Sequence, residues 1–100
     1  MIVLAGTITF DPERSEEMLE AVVTVVEATR AEEGCLEYVI APDPLIAGQL
    51  NLFERWEFDD HLGAHQKADH SRTFQRALAD CGMTGVSIDR YDEASVTKLL

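Results

Sequence analysis

Hydrophobic residues in the first ten positions recur at every second residue. Residues 2–10 (IVLAGTITF) are rich in β-branched side chains, and this alternation predicts a β-strand. One face carries Ile2, Leu4, Ile8 and Phe10, and the other carries Val3, Ala5, Thr7 and Thr9. Because both faces are apolar or small, we expect both to be covered in the folded protein.

The next segment changes to a helical period. Within residues 16–33 the apolar positions recur mostly three or four residues apart, which predicts an amphipathic helix. Asp11, followed by Pro12, or alternatively Ser15, can cap its start, and Gly34 can end it. The positions expected to form its apolar side are Met18, Leu19, Val22, Val23, Val25, Val26 and Thr29.

Two further strands follow, separated by a loop that contains Pro42, Pro44 and Gly48. They are residues 35–41 (CLEYVIA) and 49–58 (QLNLFERWEF). In the second of them, alternation places four side chains on the face that should meet the helices and four on the opposite face. The first set is Leu50, Leu52, Glu54 and Trp56, and the second is Asn51, Phe53, Arg55 and Glu57.

The last third predicts two short helices and a strand. The first helix can be capped by Asp59 or Asp60 and runs to about residue 67. The second can be capped by Asp69 or Ser71 and ends at Gly82. Residues 86–91 then form the fourth strand, and we expect the apolar tail 96–100 (VTKLL) to dock on the body of the protein.

The predicted order β-α-β-β-α-β is that of a ferredoxin-like α+β fold, an antiparallel sheet with helices on one face. One hundred residues suit a single domain spanning 1–100. The sheet face without helices would carry Val3, Ala5, Val39 and Phe53, and such a face needs a partner. We therefore expect a homodimer.

Composition narrows the classes of partner. The chain has 19 acidic and 8 basic residues and a net charge of −11, which argues against binding nucleic acid or an anionic membrane surface. No segment approaches the ~18 apolar residues of a membrane span. The first residues form a predicted strand instead of a signal peptide, so we expect Cys35 and Cys81 to be free thiols in the cytoplasm.

All three histidines lie in one segment, HLGAHQKADH, residues 61–70. His61 and His65 are four residues apart, as in pairs of metal ligands, and His70 or Asp69 could add a third ligand. The spacing is also common on solvated helices, and we predict no metal site. An acid–base role suits imidazole near neutral pH, and a solvated or capping role suits each histidine equally well.

Glu54 is unusual because it lies between Leu52 and Trp56 on an otherwise apolar strand face. A buried carboxylate is costly unless it is paired or hydrogen-bonded. It is therefore either satisfied by a structural partner or placed, with a raised pKa, in the wall of a ligand cavity. Trp56, Tyr38 and Phe74 can serve as core residues, as a ligand platform, or as both.

Three motifs together resemble the antibiotic biosynthesis monooxygenase family, and its quinol-monooxygenase-like branch in particular. They are E-G-C-L-x-Y at Glu33 to Tyr38, E-x-W at Glu54 to Trp56, and H-L-x-A-H with a further histidine at His61 to His70. The match covers about residues 33–75. No dinucleotide-binding, Walker or nucleophile-elbow motif is present.

The resemblance implies a small ferredoxin-like dimer whose two sheets form a barrel-like core, with a cavity in each subunit. Enzymatic members of the family oxidise quinols or aromatic polyketides with molecular oxygen and use no metal, haem or flavin. It implies His65 and Glu54 as catalytic residues, with His65 as the base. The positions expected to contact an aromatic substrate are Trp56, Tyr38, Leu52, Leu62, His70 and Phe74.

Departures from the family pattern limit the substrate. Some members that oxidise polyketides carry an asparagine and a tyrosine where this chain has Leu52 and Leu62. Haem-degrading members have an asparagine on the first strand and a histidine near the position of Phe74 or Gln75, and both are missing. The expected activity is cofactor-independent oxygenation of a small quinol-like or phenolic aromatic. The alternatives are a non-catalytic dimeric domain that binds a small ligand and, with less support, a haem-degrading relative.

Overall fold

The computed structural model describes all 100 residues as an antiparallel sheet with three α-helices on one face. The elements, in chain order, are β1 (Ile2–Thr9), a 3₁₀ turn (Pro12–Arg14), α1 (Ser15–Arg30), β2 (Cys35–Pro42), β3 (Gln49–Trp56), α2 (Asp59–Lys67), α3 (Asp69–Asp80) and β4 (Gly85–Tyr91). This order confirms the predicted ferredoxin-like fold, with the second helical region divided in two at Ala68.

The strands lie side by side in the order β2-β3-β1-β4, and every neighbouring pair is antiparallel. Leu4 in β1 is paired with Glu54 in β3 and with Arg90 in β4. Glu54 is paired in turn with Tyr38 in β2. A transverse row of four side chains, Tyr38, Glu54, Leu4 and Arg90, therefore crosses the whole sheet on the face that meets the helices.

The hydrophobic core lies between this face and the helices. The face of β3 that was predicted to be buried is buried, with Trp56 and Leu50 at 0% exposure. Helix α1 contributes Met18, Val22, Val25 and Thr29. The prediction was wrong for Leu19 and Val23, which are exposed because they lie on the opposite side of the helix.

Helix boundaries differ from the prediction in ways that affect the site. Helix α1 ends at Arg30, earlier than the predicted residue 33, and residues 31–34 form a turn. Gly34 closes this turn with a φ of +78°, in the left-handed region that favours glycine. Helix α3 begins one residue after Ala68, which has no capping side chain, so neither Asp69 nor Ser71 caps it as predicted. The Ser71 hydroxyl instead donates to the backbone carbonyl of His65.

Two apolar regions remain uncovered within one chain. On the outer sheet face Val3, Ala5 and Val39 are partly exposed and Phe53 is 37% exposed. The tail does not dock as expected, since Val96, Leu99 and Leu100 are all exposed.

Neither cysteine forms a disulfide. The helices are all too short or too polar for any of them to span a membrane.

Candidate functional site

A cavity of about 600 Å³ lies between the sheet and the helices. Its floor includes the transverse row of Tyr38, Glu54, Leu4 and Arg90. Arg90 binds Asp59 at the start of α2 through a 2.7 Å ion pair, which joins the last strand to the helical layer at the cavity. The apolar part of the lining comes from both layers and includes Ile8, Val25, Leu52, Leu62, Phe74, Leu78, Val86 and Ile88.

Glu54 is a buried carboxyl group in the cavity wall, with only 5% of its surface exposed. The indole Nε1–H of Trp56 donates to its Oε1 at 2.9 Å. Burial raises the pKa of Glu54, while the Trp56 hydrogen bond and the nearby His65 oppose the rise. The residue is therefore both structurally satisfied and placed at the cavity, so the two interpretations of the sequence are compatible.

His65 is held in the same wall by aromatic rings on two sides. Its imidazole lies 4.9 Å from the Trp56 ring and 5.3 Å, edge to face, from the Tyr38 ring, measured between centroids. Only 6% of the residue is exposed. The 2.6 Å bond from the Ser71 hydroxyl to its carbonyl fixes the end of α2 on which it stands. His65 therefore has little freedom to turn away from the cavity.

Glu32 orients the His65 ring, and sequence reasoning did not find it. Its Oε2 lies 2.6 Å from Nδ1 of His65. The neighbouring Glu33 is exposed, whereas Glu32 is partly buried, because the turn that ends at Gly34 directs only one of the two inward. The sequence signal was weak: two adjacent glutamates before a glycine, at the edge of a matching motif.

The other two histidines have different environments. His70, the second residue of α3, places Nε2 3.2 Å from the same Glu32 oxygen and lies outside the cavity, in a separate hollow between α1 and α3. A solvated surface position was one of the alternatives predicted for His61, but its ring is packed 5.7 Å from that of Phe58 and against Gly34. His61 and His65, although four residues apart on one helix, therefore contact different groups and do not form a common site.

The predicted substrate residues fall into two groups. Tyr38, Leu52, Leu62 and Phe74 line the cavity together with Glu54 and His65, whereas Trp56 and His70 do not. Trp56 is fully buried behind Glu54 and His65 and acts on them through its N–H and its ring. Burial, reinforced by the charge of Glu54, raises the pKa of the Tyr38 phenol, which keeps it protonated.

Sequence reasoning also missed part of the lining. Ile8, Val86, Ile88 and Arg90 all lie on the helix-facing side of the edge half of the sheet. Alternation in the first and fourth strands predicted which side chains share a face. Only the pairing of β1 with β4 in the structure brings these side chains together beneath the helices. The fourth strand therefore contributes three side chains to the cavity lining, those of Val86, Ile88 and Arg90.

The fold and the cavity define a class of protein, and solved structures share its architecture. A protein of Deinococcus radiodurans, described as a candidate antibiotic biosynthesis monooxygenase, superposes with a TM-score of 0.90 and 23% identity, over 100% of this chain and 99% of that one. PA3566 of Pseudomonas aeruginosa superposes with a TM-score of 0.82 and 29% identity, over 94% of each chain. The class is therefore that of small ferredoxin-like α+β proteins with a cavity between sheet and helices.

Sequence comparison identifies the family. The family model for antibiotic biosynthesis monooxygenases matches residues 1–77. An uncharacterised protein, sll1783 of Synechocystis sp., is 30% identical over 98 residues, which span 98% of this chain and 67% of that protein. The chain belongs to the antibiotic biosynthesis monooxygenase family.

Proposed function

We propose that this protein oxygenates a small, electron-rich phenol or hydroquinone with molecular oxygen, without a cofactor. One observation carries the proposal: a cavity of about 600 Å³ has a buried imidazole, His65, in its wall. That volume lies within the range of roughly 300–1,000 Å³ that is usual for small-molecule sites. A lining that is mostly apolar with few polar groups suits an aromatic ring.

His65 is the proposed proton acceptor. When the proton of the neutral ring is on Nδ1, the Nδ1–H donates a hydrogen bond to the Glu32 carboxylate, and Nε2 is left as the proton acceptor. The Glu32 carboxylate also stabilises the imidazolium that forms when Nε2 takes a proton from the substrate hydroxyl. Glu54 is proposed to hold a second substrate oxygen, since its buried carboxyl group faces the same cavity.

The chemistry balances without an external reductant. Proton transfer to His65 gives a phenolate, which donates an electron to oxygen. The resulting phenoxyl radical and superoxide combine through a carbon–oxygen bond to give a peroxide. Loss of water from this peroxide leaves a hydroxyquinone. A hydroquinone and O₂ thus give a hydroxyquinone and water, with all four electrons supplied by the substrate. The protein orients the ring, excludes water and transfers one proton: His65 takes it from the substrate hydroxyl and returns it to the peroxide oxygen that leaves as water.

Oxygen uptake is the direct test. The purified protein is mixed with a panel of one-ring and two-ring hydroquinones, oxygen consumption is followed, and the product is analysed for an added oxygen atom. Uptake above the rate without protein, with a hydroxyquinone as product, supports the proposal. Ligand binding without uptake across the panel favours the alternative of a non-catalytic binding domain.

We also propose that two chains associate through their outer sheet faces. Phe53, at 37% exposure, and the partly exposed Val3, Ala5 and Val39 form an apolar strip on the face without helices. Covering this strip would remove apolar surface from water.

Haem degradation is a weaker candidate, since Phe74 and Gln75 supply no iron ligand to the cavity. An unchanged haem absorption spectrum on titration with protein would exclude it.

A further inference from the structure

Three side chains from different parts of the chain meet at one point behind the cavity wall. Glu32 comes from the turn after α1, His65 from α2 and His70 from the first turn of α3. Oε2 of Glu32 lies 2.6 Å from Nδ1 of His65 and 3.2 Å from Nε2 of His70. All three ligand atoms lie within 4.8 Å of one another, so one small ion could contact them all.

The hydrogen bonds of this group are incomplete. Nε2 of His70 is buried and has no hydrogen-bond partner, even though the Glu32 oxygen is 3.2 Å away. A buried polar atom without a partner costs free energy, and a cation bound between the Glu32 carboxylate and the two imidazoles would remove that cost. Contacts within the chain therefore give His65 a hydrogen-bond partner but leave Nε2 of His70 without one.

The donor types select the kind of ion. Two imidazole nitrogens and one carboxylate oxygen match the three protein ligands of many zinc sites, with a fourth position left open. Magnesium and calcium prefer oxygen ligands and fit less well. We propose that Glu32, His65 and His70 bind a divalent transition-metal ion of the zinc type.

Both distances from Glu32 require only a small adjustment, and the ligand nitrogens of His65 and His70 lie within 4.8 Å of each other. Ligand bonds of about 2.0–2.1 Å in a tetrahedral site place ligand atoms about 3.4 Å apart. The Glu32–His70 separation of 3.2 Å is already close to that value. The Glu32–His65 separation of 2.6 Å must widen by less than about 1 Å, which rotation of the Glu32 side chain on its turn can supply.

Metal binding also has a consequence for the base, and this step rests on the proposed function. A metal on Nδ1 of His65 replaces the proton that Nδ1 otherwise donates to Glu32. The neutral ring must then carry its proton on Nε2, which turns the acceptor into a donor. Zinc is therefore an inhibitor that acts on the tautomer of His65, without occupying the substrate cavity.

The test uses the full chain, Zn²⁺ alone as the probe, and variants with matched controls. Isothermal titration should give one ion per chain for the wild type. Glu32→Gln and His70→Ala should each weaken binding by at least about tenfold. Glu33→Gln, at the adjacent exposed glutamate, and His61→Ala, at a histidine outside the group, should keep wild-type affinity. Zinc should raise the melting temperature of the wild type and of both controls but not of the two ligand variants.

Two results would overturn the site: no binding by the wild type, or equal affinity in all four variants. The regulatory step is tested separately, as the ratio of oxygen uptake with and without zinc within each protein. That ratio should fall in the wild type and stay near one in His70→Ala, and an unchanged ratio in a zinc-loaded wild type rejects inhibition. Zinc binding without any oxygen uptake by the metal-free protein rejects the proposed function and leaves the metal site supported.

Discussion

Nδ1 of His65 lies 2.6 Å from Oε2 of Glu32, although the two residues are 33 positions apart in the chain. The contact joins the turn after α1 to α2 and fixes which ring nitrogen meets the carboxylate. It therefore gives the cavity an imidazole of defined orientation, on which both the proposed proton transfer and the proposed metal site depend.

Replacement of the proposed base should abolish most of the activity. In His65→Ala no imidazole faces the cavity, and oxygen uptake with a hydroquinone should fall by ~10²-fold or more, as expected for loss of a general base. The measurement is the initial rate of oxygen consumption. His61→Ala is the matched control, because His61 lies on the same helix but does not line the cavity. Equal rates for wild type and His65→Ala would rule out His65 as the base.

Glu32 should act as a positioning residue through His65. Glu32→Gln keeps the shape of the side chain but removes the charge that stabilises the imidazolium, so kcat should fall by about 10–10²-fold with little change in KM. Glu33→Gln should leave both constants at the wild-type value, since Glu33 is exposed. A rise in KM at constant kcat would instead indicate a role in substrate binding.

The buried carboxyl group of Glu54 should make stability depend on pH. Because burial raises the pKa of Glu54 above its ordinary value of 4.5, the folded state holds this proton more tightly than the unfolded state. The stabilising contribution is therefore complete below pH 4.5 and is lost as the pH rises through the folded pKa. Glu54→Gln should be more stable than the wild type at pH 8 and should lose this advantage at pH 4, as measured by urea unfolding. A constant difference between the two proteins at both pH values would contradict the raised pKa.

The indole N–H of Trp56 should stabilise the folded protein because it donates a hydrogen bond to the buried Glu54 carboxylate. Trp56→Phe removes the donor at 2.9 Å and leaves Oε1 of Glu54 buried without that bond, at a cost of about 1–3 kcal/mol in addition to the smaller ring. In a double-mutant cycle with Glu54→Gln, measured by urea unfolding at pH 8, the two changes should be clearly non-additive. Additive changes would show that the two side chains contribute independently.

The outer face of the sheet should hold the proposed dimer together. Phe53→Glu places a charge in the centre of the apolar strip and should convert the protein to a monomer in light scattering at micromolar concentration. Phe58→Glu is the matched control, because Phe58 is 62% exposed and precedes α2, away from that face. A monomeric wild type would remove the basis of the proposal.

The sequence predicted the elements and the buried side of each because these depend on local patterns. Alternation in residues 49–58 placed Glu54 and Trp56 toward the helices, and the structure, in which the strand ends at Trp56, confirms that both are buried. The same kind of pattern was too broad for α1, where Leu19 and Val23 are exposed. Periodicity identifies an apolar stripe, but packing against the sheet decides how wide a stripe is buried.

The grouping of the site residues was decided by tertiary structure alone. The spacing of His61 and His65 indicated a pair, yet the ring of His61 is packed on Phe58 and Gly34, and His65 meets Glu32 and His70 instead. Local spacing records only which side chains share a helix face. The end of α1 at Arg30 and the left-handed turn at Gly34 bring a glutamate from another segment to that face. By itself the sequence determined the family fold and the inward side of β3, while the packing of the helical turn against α2 and α3 determined which groups surround the imidazole.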